Sequence, residues 1–158
     1  MYFPTYTLRH AATISTAISA LQLKAGTNGP IELLRAALTQ GSSNASAQIA
    51  AGLVRCSAGA TVTTAVAGTH LFKDNPVAPT ADASLGTSAT GVTATAEGTE
   101  TDTVLARGFN VLNGFEWLPT PEERIIVPQG GIIKLKFLVA PPSAMWYSEI
   151  VFRELRGG

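Results

Sequence analysis

Apolar and polar residues alternate with a period of two along much of this chain, far more often than with the 3.6-residue spacing of a helix, and turn-forming residues separate the alternating runs. The clearest run is Ile132 to Val139, with Ile133, Leu135, Phe137 and Val139 on one face and Lys134 and Lys136 on the other. Gly130 and Gly131 open it; Pro141 and Pro142 close it. A last strand is expected at about Trp146 to Leu155. Trp146, Ile150 and Phe152 share one parity there and Tyr147, Val151 and Leu155 the other, which allows both faces to be covered.

Earlier runs are less regular. Between Thr13 and Lys24 the large apolar residues change parity, from Ile14 and Ile18 to Leu21 and Leu23, and either a β-bulge or a bend between two sheets accounts for the change. Ile31 to Leu38 sets Leu34, Ala36 and Leu38 on one face, and a turn-rich stretch follows from Gly41 to Ser46. In Ala47 to Cys56, Ile49 and Leu53 have helical spacing, but Gly52 and the surrounding strands favour an extended segment. The stretch from about Lys73 to Asp102 is dominated by Pro, Ala, Thr, Ser and Gly and reads as a long loop excursion, with short β-prone pieces, Thr61 to Val66 and Gly91 to Ala96, at its edges. The expectation is an all-β chain of about eight strands, forming one two-sheet antiparallel sandwich over residues 1–158, jelly-roll-like in architecture.

Charge narrows the partners. Eleven Lys plus Arg balance eleven Asp plus Glu, so no net field is present to hold a polyanion, and direct nucleic-acid binding is not expected. Charged residues make up 14% of the chain, against about 25% in typical globular proteins, and such a surface costs little to desolvate against a neighbour. Cys56 is the single cysteine, so stability must come from packing. The start, MYFPTYTLRH, lacks the basic and apolar regions of a signal peptide, and no apolar run reaches bilayer-spanning length. A soluble chain without membrane association is expected.

Candidate chemistry is sparse. His10 and His70 have no second His, Cys or carboxylate at a metal-like spacing, so no metal and no cofactor are expected. Asp74 near His70 could orient an imidazole in a catalytic dyad, but a loop histidine bonded locally is the expected reading, since the pair belongs to no motif. Cys56 sits in Leu-Val-Arg-Cys-Ser, where a small buried hydrophobe is expected rather than a nucleophile. Glu122 and Glu123 are adjacent, and adjacent side chains on extended chain point apart, unlike the opposed carboxylates of a glycosidase; one of them is expected to pair with Arg124. No catalytic residue is assigned.

The most distinctive stretch runs from Phe109 to Gly131. Phe115 and Trp117 share a parity, and Pro119 and Pro121 end their strand in a stiff turn, so an aromatic edge followed by Glu122, Glu123 and Arg124 offers itself as a docking surface, as do Trp146 and Tyr147. Core packing is the competing reading for both tryptophans. Residues Phe109, Asn110, Gly114, Trp117, Pro119, Thr120, Pro121, Glu122, Glu123 and Arg124 resemble a recurring block of small virion proteins encoded among the head genes of tailed phages. The resemblance implies a non-enzymatic sandwich, made in the host cytoplasm, that decorates or cements a capsid by contacts with the major capsid protein, and a homo-oligomer, with a trimer favoured. The alternative is a carbohydrate- or receptor-binding sandwich of a phage tail or fibre, with Trp117, Trp146 or Tyr147 as a stacking platform. A hydrolase on the same fold is the third class, and it needs Glu122 and a second carboxylate across a cleft.

Overall fold

The computed structural model describes residues 3–42, 46–67, 71–76, 80–84 and 86–155. Among the described residues the strands are β1 (Thr5–Ile14), β2 (Ser19–Lys24), β3 (Ile31–Gln40), β4 (Gln48–Ala58), β5 (Thr61–Ala65), β6 (Phe72–Lys73), β7 (Gly91–Ala96), β8 (Thr99–Asn110), β9 (Phe115–Trp117), β10 (Ile126–Val127), β11 (Ile132–Phe137) and β12 (Ala144–Glu154), and a 3-10 turn lies at Pro121–Glu123. All pairings are antiparallel, in two sheets. The first sheet runs β10-β3-β12-β1-β6, with β9 also on β3; the second runs β5-β7-β2-β11-β4-β8. The first half of the chain thus meets the second in reverse order: β1 with β12, β2 with β11, β3 with β9 and β10, β4 with β8.

The inner faces of the two sheets share one core. Leu8, Leu33, Leu38, Ile150 and Phe152 of the first sheet and Leu21, Leu23, Leu53, Ile133 and Leu135 of the second are fully buried in it. Trp146 bridges the layers, its ring edge-on to Phe137 at 4.9 Å and to Phe109 at 6.5 Å, the offset geometry aromatic quadrupoles favour.

Both readings of the parity change near Ile18 apply: the chain bends from the first sheet, which holds β1, to the second, which holds β2, and a β-bulge leaves Ala20 extra in β2, where Leu135 pairs with Leu21 and Lys136 with Ser19. Another β-bulge lies in β3. There the register slips between Val151 and Phe152, leaving Leu34 unpaired opposite them, so Leu33 rather than Leu34 points inward with Ala36 and Leu38. The ambiguous segment around Gly52 is strand β4. Its glycine is required by close approach, since a Cβ would lie 2.1 Å from the Leu105 carbonyl oxygen of β8.

Among the described residues twelve strands are seen where about eight were expected, because short edge segments have too few residues to display a period. The β-prone pieces expected at the edges of the 73–102 stretch are strands, β5 (Thr61–Ala65) and β7 (Gly91–Ala96), but the stretch also holds the start of β8, where loop was expected. The chain between β4 and β8 supplies edges to both sheets, β6 to β1 and β7 with β5 to β2. Backbone pairing in Thr- and Ala-rich strands needs no large side chain, which is why the start of β8 at Thr99 carries no apolar alternation to announce it.

Candidate functional site

The distinctive block from Phe109 to Gly131 runs along the outer edge of β3. β9 pairs with Ala36, Ala37 and Leu38, and β10 with Ile31 and Glu32; the Leu33 amide donates to the Ile125 carbonyl at 2.9 Å. Between these anchors, residues 118–124 leave the edge beside the bulge at Leu34. Gly114 opens β9 at a φ of 74°, with the Leu38 carbonyl oxygen 3.0 Å from where a Cβ would stand, so glycine alone fits. The Glu123 amide donates to the Thr120 carbonyl at 3.0 Å, and the Thr120 hydroxyl meets Glu123 Oε2 at 3.3 Å. Pro119 and Pro121 restrict the backbone in the same turn.

Three expected docking residues are corrected by this arrangement. Phe115 and Trp117 point inward, Trp117 only 5% exposed, and Trp146 is 1% exposed with its indole N–H directed at the Pro142 carbonyl. Large aromatic surfaces gain most from the core, and the shared parity of Phe115 and Trp117 serves burial rather than display. The residue between Trp117 and Pro119 takes the opposite side: Leu118 is 71% exposed. Sequence reasoning missed it, although its parity carried the signal. Pro121, Glu122 and Glu123 are exposed beside it, with Pro119 and Arg124 half-buried. Arg124 pairs with Glu32 at 3.8 Å instead of with its neighbouring glutamates, and Arg153 holds the same carboxylate. That shared Glu32 ties the foot of the turn to β3 and β12.

A second surface is the outer face of the first sheet. Tyr147, 54% exposed, stands on β12 between Thr39 of β3 and Ala11 of β1, so the outward parity of β12 is not covered there. Around it lies a shallow groove of about 610 Å³ whose floor is the small side chains of Ala11 and Ala37 and whose far wall is exposed Phe72 of β6. The Arg9 guanidinium lies 3.5 Å from the centroid of the Phe72 ring. Arg35 bonds Glu116 at 3.0 Å and Glu149 at 3.2 Å. Of these side chains only Tyr147 was singled out from sequence. The others come from strands whose outward residues look unremarkable until register sets them side by side.

The third cluster lies on the outer side of the second sheet. Lys134 has no exposed surface, and its ammonium bonds Glu97 at 2.5 Å and Glu100 at 2.8 Å; Lys136 reaches Glu100 at 2.5 Å. Ser19 donates to Glu97 from its amide at 2.6 Å and its hydroxyl at 2.7 Å. Burial pushes both carboxyls up, but bonds from Lys134, with Ser19 for Glu97 and Lys136 for Glu100, outweigh it and hold them below the usual carboxylate range. Burial likewise opposes the charge on Lys134, and its two carboxylates more than compensate, holding its pKa above that of a free lysine. These groups clamp the β7–β8 turn onto β11.

Cys56 is half-buried near this cluster, not in the core, and burial leads the causes that push its thiol up, away from the thiolate form. His10 is half-buried, and burial lowers its pKa. Asp74 accepts a bond from the Thr5 amide at 3.2 Å; His70, its expected partner, lies outside the described residues. Glu122 stands exposed on the turn. Among the described residues no three potential metal-ligating side chains stand together. Comparison with protein-family models, with curated proteins and with solved structures returned no match.

Proposed function

We propose that this chain is a non-enzymatic structural protein of a tailed-phage virion, which binds the capsid surface as a decoration or cement protein through contacts with the major capsid protein. The observation that carries the reading is the turn from Leu118 to Glu123: an apolar side chain, 71% exposed, held on a proline-stiffened loop anchored at both ends to β3. A preordered loop loses little conformational freedom on docking, so most of the gain from burying its apolar tip is retained as affinity. The likeness of Phe109 to Arg124 to a block of phage head proteins supports the same assignment, because the exposed part of that block is this turn.

The finer fold is inferred to be a jelly roll. Its support is the reversed pairing of the two chain halves, which makes one long antiparallel ribbon whose successive pairs, β1 with β12, β2 with β11, β3 with β9 and β10, and β4 with β8, alternate between the sheets. The carbohydrate-binding alternative loses two of its three platform rings to burial, since Trp117 and Trp146 are in the core and Tyr147 alone is exposed.

Replacing Leu118 tests the reading. Burying a leucine side chain is worth about 2 kcal/mol, so Leu118→Asp is expected to weaken binding to undecorated capsids by roughly 30-fold or more per copy. The melting temperature should stay within the small range of surface substitutions. Cosedimentation with capsid shells measures the first and calorimetry the second. Undiminished binding of a folded variant would remove the turn from the contact.

A further inference from the structure

We infer that the outer face of the first sheet is a self-complementary contact between two copies of this chain, related by a two-fold axis running along β12. This goes beyond the proposed capsid docking, since it uses a different surface from the Leu118 turn, and it puts a two-fold pair in place of the trimer that the resemblance implies.

One row of outward-facing residues carries the contact. Register aligns Glu116 of β9, Ala37 of β3, Glu149 of β12 and Arg9 of β1 across four neighbouring strands. Charges therefore lie asymmetrically about β12, with the cation on one flank and carboxylates on the axis and on the other flank. Glu149 stands directly across from Arg9, yet its carboxylate is taken by Arg35, which also holds Glu116. Arg35 neutralises only one of those two carboxylates, leaving a net negative flank. Arg9 makes no ion pair among the described residues. Its guanidinium is instead held against the Phe72 ring, 3.5 Å from the centroid, a contact that fixes the group while leaving N–H edges to donate.

A two-fold contact needs a patch that complements itself after rotation. Turning a second copy about β12 sets each Arg9 above the other copy's Ala37, where the methyl group leaves room, with Glu116 and Glu149 on either side. Tyr147 and Glu149 both lie on the axis and meet their own equivalents: Tyr147 is the kind of rigid aromatic anchor that dominates interface energy, and the two Glu149 carboxylates face each other with Arg35 of their own copy and Arg9 of the other beside them. Strands spaced about 4.8 Å apart, of which β3, β12 and β1 have ten or eleven residues and β9 and β6 three and two, give a planar area on the order of 570 Å², near the lower bound of roughly 600 Å² per partner for specific complexes. Two sheets with parallel strand axes also fall into the aligned class of face-to-face packing.

Analytical ultracentrifugation of the full chain and two charge reversals provides the test. The unaltered chain is expected to sediment as a dimer, and Arg9→Glu and Glu116→Arg are each expected to raise the dimer dissociation constant by about ten-fold or more, because each breaks both symmetric contacts. An equimolar mixture of the two variants should recover the dimer, since one contact is restored with reversed sign and the other is unaltered. That recovery cannot come from misfolded chains. A monomeric unaltered chain at high micromolar concentration, an oligomer of any order indifferent to both reversals, or a mixture that stays monomeric overturns the inference. Leu118→Asp should remain dimeric, so loss of capsid binding and loss of self-association are read separately.

Discussion

Lys134 retains its charge without any solvent contact because two carboxylates and the β7–β8 turn close over it. Removing one partner of such a group leaves uncompensated charges, and since Glu97 and Glu100 keep part of their surface, 24% and 34%, the cost falls below that of a fully buried pair. Lys134→Met is expected to destabilise by about 2–3 kcal/mol in denaturant titration. The pH dependence follows in sign from the same contacts. Glu97 and Glu100 are held below their unfolded value of 4.5, so their contribution is present above that pH and is lost as pH falls through the depressed native values. Lys134 is held above 10.5, so its contribution is present below that pH and is lost as pH rises through the elevated native value. Stability measured from pH 7 down to 3 should show an acid limb that flattens in the double variant Glu97→Gln, Glu100→Gln. An unchanged limb would locate the acid sensitivity elsewhere.

In strand β9 and the turn behind it, adjacent side chains have opposite jobs. Trp117→Ala removes a buried indole and is expected to cost about 3–5 kcal/mol of stability by thermal or urea unfolding, whereas Leu118→Asp costs capsid affinity and little stability. A Trp117→Ala protein of unaltered stability would contradict the inward placement of that ring. Strand identity was legible wherever a strand carried large residues on one face: Ile133, Leu135 and Phe137 alternate plainly, and β11 and β12 lie close to where alternation puts them. The edge of β3 was not legible. Alternation says which residues share a face but not which face meets the core, so Phe115 and Trp117 fit display and burial equally. The bulge at Leu34 was invisible because one extra residue shifts parity only when the partner strand is known. Lys134 and its carboxylates lie more than thirty positions apart, and the Arg9 row joins four strands; only pairing brings such groups together.

Over the whole molecule, the reversed pairing of chain halves leaves four sheet edges, and the Thr- and Ala-rich middle of the chain covers two of them with β6 and with β5 and β7. Short edge strands and a proline turn that departs from β3 are ordinary defences against indiscriminate strand pairing. Contacts with other chains are then left to side-chain surfaces: in the proposed reading, the Leu118 turn for the capsid, and the Arg9, Tyr147 and Glu116 face for a second copy. The two lie on different parts of the first sheet, so a dimer can present two turns to a lattice, and two linked weak contacts hold more tightly than either alone. The central claim is that the chain sits on a capsid through the 118–123 turn, and a reconstruction of the virion tests it most directly. The account predicts density for this chain on the icosahedral shell with Leu118 against the major capsid protein; density confined to a tail tip, or a shell-bound chain whose turn faces solvent, would contradict it.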